Sequence, residues 1–284
     1  MPIQVKPALK KAARATLTLS SKNYSSWSLR GWLLARFSGL DFDEVMVSPD
    51  DAGARKELLL LAPSILVPCL THDGAKNWNV MAIAYYLHEI RPKAGLMPDE
   101  RIARAHCRSV SGEMNSGFAN LRSALPMNLK AHHPNYKIWA GAQPDIDRIV
   151  EIWRECLSIY GGPHLFGKKR TMADAMYAPV VTRFLTYGVK LPKPCADYCK
   201  IIMAMPEMKE WVAAAKAEPE EIEELDINPL LADSDGVLAL DARIIVGAAK
   251  ARPAPLAIRP YPSELKRSVE LAGLRVVLRP IRPD

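Results

Sequence analysis

No run of this 284-residue chain is apolar for long enough to cross a bilayer, because charged residues interrupt every hydrophobic stretch; a span needs about 20 apolar residues. The opening segment MPIQVKPALKKAARA carries Lys6, Lys10, Lys11 and Arg14 without one acid. It lacks the apolar centre of a secretory signal, so residues 1–15 read as a disordered basic arm. Cysteine is scarce: Cys69, Cys107, Cys156, Cys195 and Cys199 are odd in number and form no C-x-x-C pair. Neither a disulfide framework nor a zinc site is suggested, and reduced cytosolic thiols are expected. Cys195 and Cys199 can share a helix face but have no nearby His, and His132-His133 has no carboxylate close in sequence, so no metal is expected. Basic runs interleaved with aromatics are also missing. A net charge of +7 permits nucleic-acid binding, yet Lys and Arg are scattered among acids, and nucleic acid is set aside. A modest positive field suits a small anionic ligand. What remains is a cytoplasmic globular chain with no membrane partner and enough length for two domains.

The stretch Thr16–Leu40, TLTLSSKNYSSWSLRGWLLARFSGL, sets the frame for the rest. Thr16–Ser20 alternates polar and apolar residues, as a half-buried strand does. Leu29, Trp32, Leu33, Phe37 and Leu40 then recur at three- and four-residue steps, one face of a helix. The hydroxyl-rich loop Ser21–Ser26 therefore feeds a helix N-terminus, where free N–H groups and the positive dipole end gather. A hydroxyl there can donate to a bound anion such as a thiolate; equally, Ser25, Ser26 and Ser28 can simply cap the helix.

Asp43–Val47 reads as a second strand and Arg55–Leu61 as a helical turn ended by Pro63. Ile65–Leu70 and Lys76–Trp78 flank the turn His72-Asp73-Gly74. Pro68 cannot donate to a ladder, which makes Val67–Pro68 a candidate cis bond that turns backbone polar groups outward. Asn79 is a candidate cap for a helix with Val80, Ile83, Ala84, Leu87 and Ile90 apolar. The order is β-α-β-α-β-β-α.

NYSSWSLRGWLLAR, LVPCLTHDG and WNVMAIAYYL, in this order and spacing, resemble the thioredoxin-like half of a bacterial glutathione transferase. The Ser-Ser start is similar to that of the serine-type, zeta-like classes. EMNSGFANLRSALPMN, FGKKRTMADAMYAPVVTRFLTYGV and MPEMKEWVAAAKAEPEEIEELD resemble that family's helical half, so the likeness runs from about residue 15 to 225. It implies an α/β, thioredoxin-like glutathione-binding domain at 16–91, a linker at 92–99 and an all-helical domain at 100–221. It also implies glutathione as co-substrate and a homodimer. Ser25, with Ser26 as runner-up, would hydrogen-bond the sulfur and lower the thiol pKa. Val67 beside Pro68 would pair with the cysteinyl backbone, and Asn79 and Val80 would meet the γ-glutamyl end. Trp27 stands where those classes often have Cys, so thiol redox chemistry is not expected.

Three residues, Asn79, Val80 and Gly31, depart from the family pattern. An acid followed by Ser is usual at Asn79-Val80. Val80 keeps its backbone N–H at a helix start, but the hydroxyl and the charge are gone. One lost hydrogen bond to a charged group costs about 1.5–3 kcal/mol, roughly ten- to a hundredfold in affinity. Gly31 stands where Pro is frequent and is expected to loosen the first helix.

Within 100–125, Ile102, His106, Val110, Met114, Phe118, Leu121 and Leu125 form an apolar stripe beside a polar one of Arg104, Arg108, Ser111, Asn115 and Arg122. The family's helical domain begins against the active cleft, which makes Met114, Asn115 and Phe118 candidates for a second-substrate pocket; the plainer reading places Met114 and Phe118 in the core. Residues 144–159 form a helix that Gly161-Gly162-Pro163 ends. Thr171-Met172-Ala173-Asp174 has capping-box spacing ahead of a buried helix, a folding element in the family. Helices follow at 195–204 and 206–217, with Pro206 in a first turn.

From Ile222 the pattern changes. Glu224–Leu231 and Val237–Val246 are strand-like around a Ser-Asp-Gly turn, RPAPLAIRPYPSEL is linker-like, and LRVVLRPIRPD holds one more strand. ELDINPL and GVLALDARI resemble the end of the ATP-grasp region of an ADP-forming acyl-CoA synthetase, and IRPYPSEL with VVLRPIRPD resembles its joint to an N-acetyltransferase domain. That family holds Mg²⁺ through an Asn and an Asp, here Asn228 and Asp241. Oxygen ligands suit Mg²⁺, but no glycine-rich phosphate loop precedes them. The tail 222–284 is read as a grafted remnant whose Mg²⁺ pattern is not functional. Two readings of function follow. One is an enzyme that uses glutathione to conjugate, isomerise or reduce a small electrophile. The other is a non-catalytic transferase-fold module for binding or assembly with a degenerate glutathione site. Ser25, Ser26 and Pro68 favour the first; Val80 and the tail favour the second.

Overall fold

The computed structural model describes residues 15–47 and 67–218, and the strands that lie between 222 and 278. Strand β1 (Ala15–Leu19) leads through a short loop into helix α1 (Ser26–Ser38). Strands β2 (Asp43–Met46), β3 (Cys69–His72) and β4 (Ala75–Trp78) and helix α2 (Val80–Ile90) complete the first half. The sheet order is β2-β1-β3-β4, with β2 parallel to β1 and the other pairs antiparallel. This is the thioredoxin-like arrangement the motif order implied. Ala15, Leu17 and Leu19 face the core while Thr16 and Thr18 do not, the period-two pattern of a half-buried strand. Asp73 and Gly74, at φ 47° and 82°, join β3 to β4, the two-residue turn whose twist suits a hairpin. Val67–Pro68 is cis.

Helix α1 is buried far beyond the single face its spacing predicts. Ser28, Arg30, Gly31, Leu34 and Ala35 are inside as well, because α1 packs against both α2 and the helix Met172–Thr186 of the second half. Gly39, at φ 69°, ends it. Gly31 lies inside the unbroken helix α1. A Cβ at that position would stand 2.4 Å from Pro68 Cγ, so the missing side chain is what lets the Val67–Pro68 loop lie against α1.

The second half contains a 3₁₀ turn (Pro92–Ala94), α3 (Arg101–Ser116), α4 (Ala119–Ala124), a second 3₁₀ turn (Ala140–Ala142), α5 (Gln143–Tyr160), α6 (Met172–Thr186), α7 (Lys193–Ala204) and α8 (Pro206–Ala217). The stripe predicted along 100–125 is buried from Val110 onward, at Val110, Met114, Phe118, Leu121 and Leu125, and is corrected at its start. Ile102 is 72% exposed, and Ala103 and Cys107 turn inward beside Val110 and Met114. Four-residue steps drift by about 40° each on a helix of 3.6 residues per turn, so positions 102 to 118 cannot hold one face. The helix also stops at Gly117, and Phe118, at φ 59°, starts α4.

Asp174 reaches back to Thr171 N at 2.7 Å and also accepts from Leu165 N at 3.1 Å and Tyr198 Oη at 3.2 Å. The capping box is thus a fully buried folding element. The stretch 92–99 is tied in more closely than a linker: Leu96 and Met97 are buried, and Leu96 C=O accepts from Met172 N at 2.7 Å.

Both halves belong to one compact unit that ends at Glu218, and Pro219–Asp284 forms a second. In that second unit β5 (Ile222–Ile227) pairs antiparallel with β8 (Ala242–Val246), β6 (Leu230–Asp233) with β7 (Gly236–Ala239), and β9 (Arg267–Leu271) with β10 (Leu274–Leu278). The run predicted as one strand from Glu224 to Leu231 is covered by two, β5 ending at Ile227 and β6 beginning at Leu230. Val237–Val246 is likewise two strands, and β9 was not anticipated. The arm up to Arg14, the turn at Arg55–Leu61, Asn228 and Asp241 lie outside the described residues.

The Gly31 contact generates a paired test. Gly31→Ala should lower unfolding free energy by about 1–3 kcal/mol in a denaturant titration, the cost of overpacking. Gly112→Ala, in α3 with nothing within 4 Å of its added Cβ, should be neutral or stabilise by up to about 1 kcal/mol.

Candidate active site at the start of the first helix

Three serines close the β1–α1 loop. Ser25 is the N-cap of α1: its Oγ accepts from Ser28 N at 3.2 Å and donates to Ser28 Oγ at 2.9 Å. Ser28 Oγ also accepts from Ser20 N at 3.0 Å and lies 3.4 Å from Ser20 Oγ. Capping is therefore part of what Ser25 does. Its side chain is half-buried, whereas Ser28 is fully inside. Ser26, the first helical residue, is 7% exposed, and its hydroxyl has no hydrogen-bond partner among the described residues.

Beneath these hydroxyls the helix carries a buried cation. Arg30 Nε donates to Met176 C=O at 2.7 Å and Nη1 to Ser26 C=O at 3.4 Å, and the guanidinium lies 4.5 Å from the Trp27 ring centroid. Burial, then Arg183 and Arg122, pull the Arg30 pKa well below its ordinary value. Burial, then Arg122, brings that of Arg183 down to about 10. Arg183 Nη1 donates to the carbonyls of Arg122 and Leu125. Among the described residues, Arg30 Nη2 and Arg183 Nε are buried without a partner. Arg30, bonded to Ser26 C=O, and the helix N-terminus thus bring positive charge to the Ser25–Ser26 corner, which favours an anion over its neutral acid.

The loop is also held from outside its own half. Asn23 Oδ1 accepts from Leu129 N at 2.8 Å and Lys130 N at 3.1 Å, and Lys22 C=O accepts from Trp211 Nε1 at 2.9 Å. The Glu218 carboxylate accepts from Ser21 Oγ, Lys22 N and Asn23 N. Sequence reasoning missed all four anchors, Asn23, Lys130, Trp211 and Glu218. Each lies far along the chain from what it binds, and local periodicity carries no sign of that.

On the other side of α1, Val67 is half-buried and Pro68 is buried against Gly31. Asn79 is exposed at φ 73°, ψ 129°, with Oδ1 accepting from Met81 N at 2.9 Å. It is the N-cap of α2, as its position suggested, so its acceptor is committed to the helix. Val80 is buried. Of the three pocket candidates, Met114 has no exposed surface and Phe118 is also in the core, while Asn115 is half-buried. Met114 is in the core because it lies on the inward face of α3, and Phe118 because the chain turns there into α4. No group of three or more His, Cys, Asp or Glu among the described residues is placed to hold a metal ion.

Residues 24–90 match the family model of the glutathione S-transferase N-terminal domain, and residues 170–246 match a model of an ATP-grasp domain. The second match begins in helices α6–α8, so only its later part coincides with the tail strands. Maleylacetoacetate isomerase of Rattus norvegicus is 27% identical over 199 residues, 68% of this chain and 90% of the relative. A glutathione transferase homologue from Burkholderia, solved with bound glutathione, superposes with a TM-score of 0.55 at 22% identity, covering 72% of this chain and 99% of that one. Glutathione transferase F2 of Populus trichocarpa gives 0.57 at 15% identity, covering 72% and 100%. The fold is that of these proteins: a thioredoxin-like sheet-and-helix domain followed by a helical one.

All five thiols are buried. Burial pushes the pKa of Cys107, Cys156 and Cys199 up to about 12 and raises those of Cys69 and Cys195. A protonated, enclosed thiol is a poor nucleophile. An aromatic disulfide reagent near neutral pH should therefore leave the native chain unmodified and titrate five thiols after denaturation. The raised values also fix the sign of the alkaline response. The folded state keeps protons that the unfolded chain loses above about pH 8.5, so stability should fall as pH rises from there towards 12.

Proposed function

We propose that this chain is a glutathione transferase-like enzyme that binds glutathione over its thioredoxin-like half and activates the thiol against a small electrophile. The observation that carries the reading is the serine cluster at the N-terminus of α1, set over buried Arg30. Glutathione is the co-substrate. Val67 beside Pro68 offers backbone to its cysteinyl residue, and the N-terminus of α2 at Asn79 and Val80 receives the γ-glutamyl carboxylate. The amide Nδ2 of Asn79 remains available, since its oxygen is used by Met81 N.

The thiol chemistry follows from the hydrogen bonds. When a sulfur arrives, the Ser25 hydroxyl can turn its proton from Ser28 Oγ towards it. Ser28 Oγ still accepts from Ser20 N, and its own proton can turn to Ser25 Oγ, so no buried donor is left without an acceptor. A hydrogen bond to the charged form, the helix dipole and the guanidinium base all favour thiolate. The thiolate then forms a C–S bond to the electrophilic carbon, and the displaced π pair moves to the neighbouring acceptor and takes a proton from solvent. Conjugation ends there. Isomerisation adds rotation about the new single bond, then loss of the proton and of the thiolate, so glutathione is returned unchanged. The relatives named maleylacetoacetate isomerase favour this second course.

A two-fold dimer belongs to the same reading, as symmetric pairs are the commonest oligomers. No helix among the described residues is long and apolar enough to cross a membrane, which fits a cytoplasmic enzyme. The alternative, a non-catalytic binding or assembly module, draws on the buried Val80 and the capped Asn79. The tail is proposed as a remnant resembling an acyl-CoA synthetase segment, without Mg²⁺ chemistry.

Calorimetry separates the readings. The enzyme reading expects glutathione to bind weakly; no heat and no competition at roughly millimolar ligand would leave the module. With glutathione bound, Ser25→Ala should lower kcat/KM by about 10²-fold, the scale for removing one donor to a developing anion. Ser26→Ala should cost much less, and the reverse order would move the role to Ser26.

A further inference from the structure

We infer that Glu218 is a positioning residue for the active-site loop: its carboxylate, brought from the end of the helical half, holds the turn that carries Ser25 and Ser26. Ser21 Oγ donates to Oε2 at 2.9 Å, Asn23 N to Oε2 at 3.1 Å and Lys22 N to Oε1 at 2.5 Å. Two consecutive backbone N–H groups and a hydroxyl converging on one carboxylate form an anion nest, and bonds to an ionised acceptor are the stronger kind.

The same residue is fixed from behind, since its C=O accepts from Lys130 Nζ at 2.5 Å. Lys130 N in turn donates to Asn23 Oδ1. The turn, the segment at 129–130 and Glu218 thus close a ring of hydrogen bonds. Only one step separates this ring from the chemistry. Ser21 C=O accepts from Ser25 N at 3.0 Å, and Ser21 Oγ accepts from Tyr24 N at 3.2 Å. A shift of Ser21 therefore moves the cap residue itself. Removing the carboxylate leaves three donors in search of water and lets the turn relax, while the glutathione contacts at Val67, Asn79 and Val80 stay in place. The kinetic signature is a loss in kcat with little change in KM for glutathione, because misplacing a catalytic group acts on the transition state.

The kinetic part rests on the proposed thiol chemistry; the clamp itself does not, and two measurements on the full chain keep them apart. Amide hydrogen exchange reads the clamp directly. Lys22 and Asn23 should be protected in the native chain, and Glu218→Ala should speed their exchange about tenfold or more. Glutathione kinetics read the consequence. Glu218→Ala should lower kcat about tenfold or more with KM changed less than about twofold, and Glu218→Gln, which keeps an acceptor oxygen for one of the two N–H groups, should recover part of the loss. Unchanged exchange in Glu218→Ala would overturn the clamp. Faster exchange with unaltered kcat would overturn the positioning role. Equal loss in Gln and Ala variants with a matching fall in Tm would reduce Glu218 to a structural residue. A native chain that neither binds nor turns over glutathione would remove the thiol chemistry, and the exchange result would then decide the clamp alone.

Discussion

Helix α1 packs against both α2 and α6, so the cation it carries at Arg30 has no route to water and must be satisfied within the protein. A buried, unpaired charge is costly. Arg30 meets that cost in part through Met176 C=O, Ser26 C=O and the face of Trp27. The bond to Met176 reaches α6, so the guanidinium also fastens the thioredoxin-like half to the helical half. Its charge remains under the N-terminus of α1, where Ser25 and Ser26 stand. The packing of the two halves and the electrostatics of the candidate site thus share one side chain.

The loop above that charge is short and has little core of its own. Its order comes from partners: Trp211 and Glu218 near the end of the unit, and the backbone at Leu129 and Lys130. Trp211 also meets Trp32 of α1 at 5.2 Å between centroids, and Lys22 bridges to Glu44 of β2 at 2.5 Å. The helical half therefore holds the loop that carries the serines of the candidate site. A thioredoxin-like domain cut out alone would keep the serines but lose what sets their geometry.

Much of this was legible in the chain. The alternation of β1, the cap at Asn79, the candidate cis bond before Pro68 and the Thr171–Asp174 box are local patterns, and local patterns report themselves through spacing. The second buried face of α1 was not legible, because Ser28 and Arg30 are polar and their satisfaction depends on residues far away in sequence. The stripe failed only at its start, Ile102 and His106, for a geometric reason, since strict four-residue steps precess around the helix. Gly31 looked like a weakness by comparison with family habit, yet its cause is a steric one that only the neighbouring Pro68 reveals. Glu218 carried no sign at all: one acid among several at the end of an amphipathic helix.

The central claim is that this electropositive serine corner favours thiolate over thiol, and the ultraviolet absorbance of the thiolate measures that directly. Glutathione bound to the chain should titrate with a midpoint at least one unit below the ordinary thiol value of about 8.5. A midpoint at or above that of free glutathione would contradict the account, because neither the hydroxyls nor the buried guanidiniums would then be acting on the sulfur.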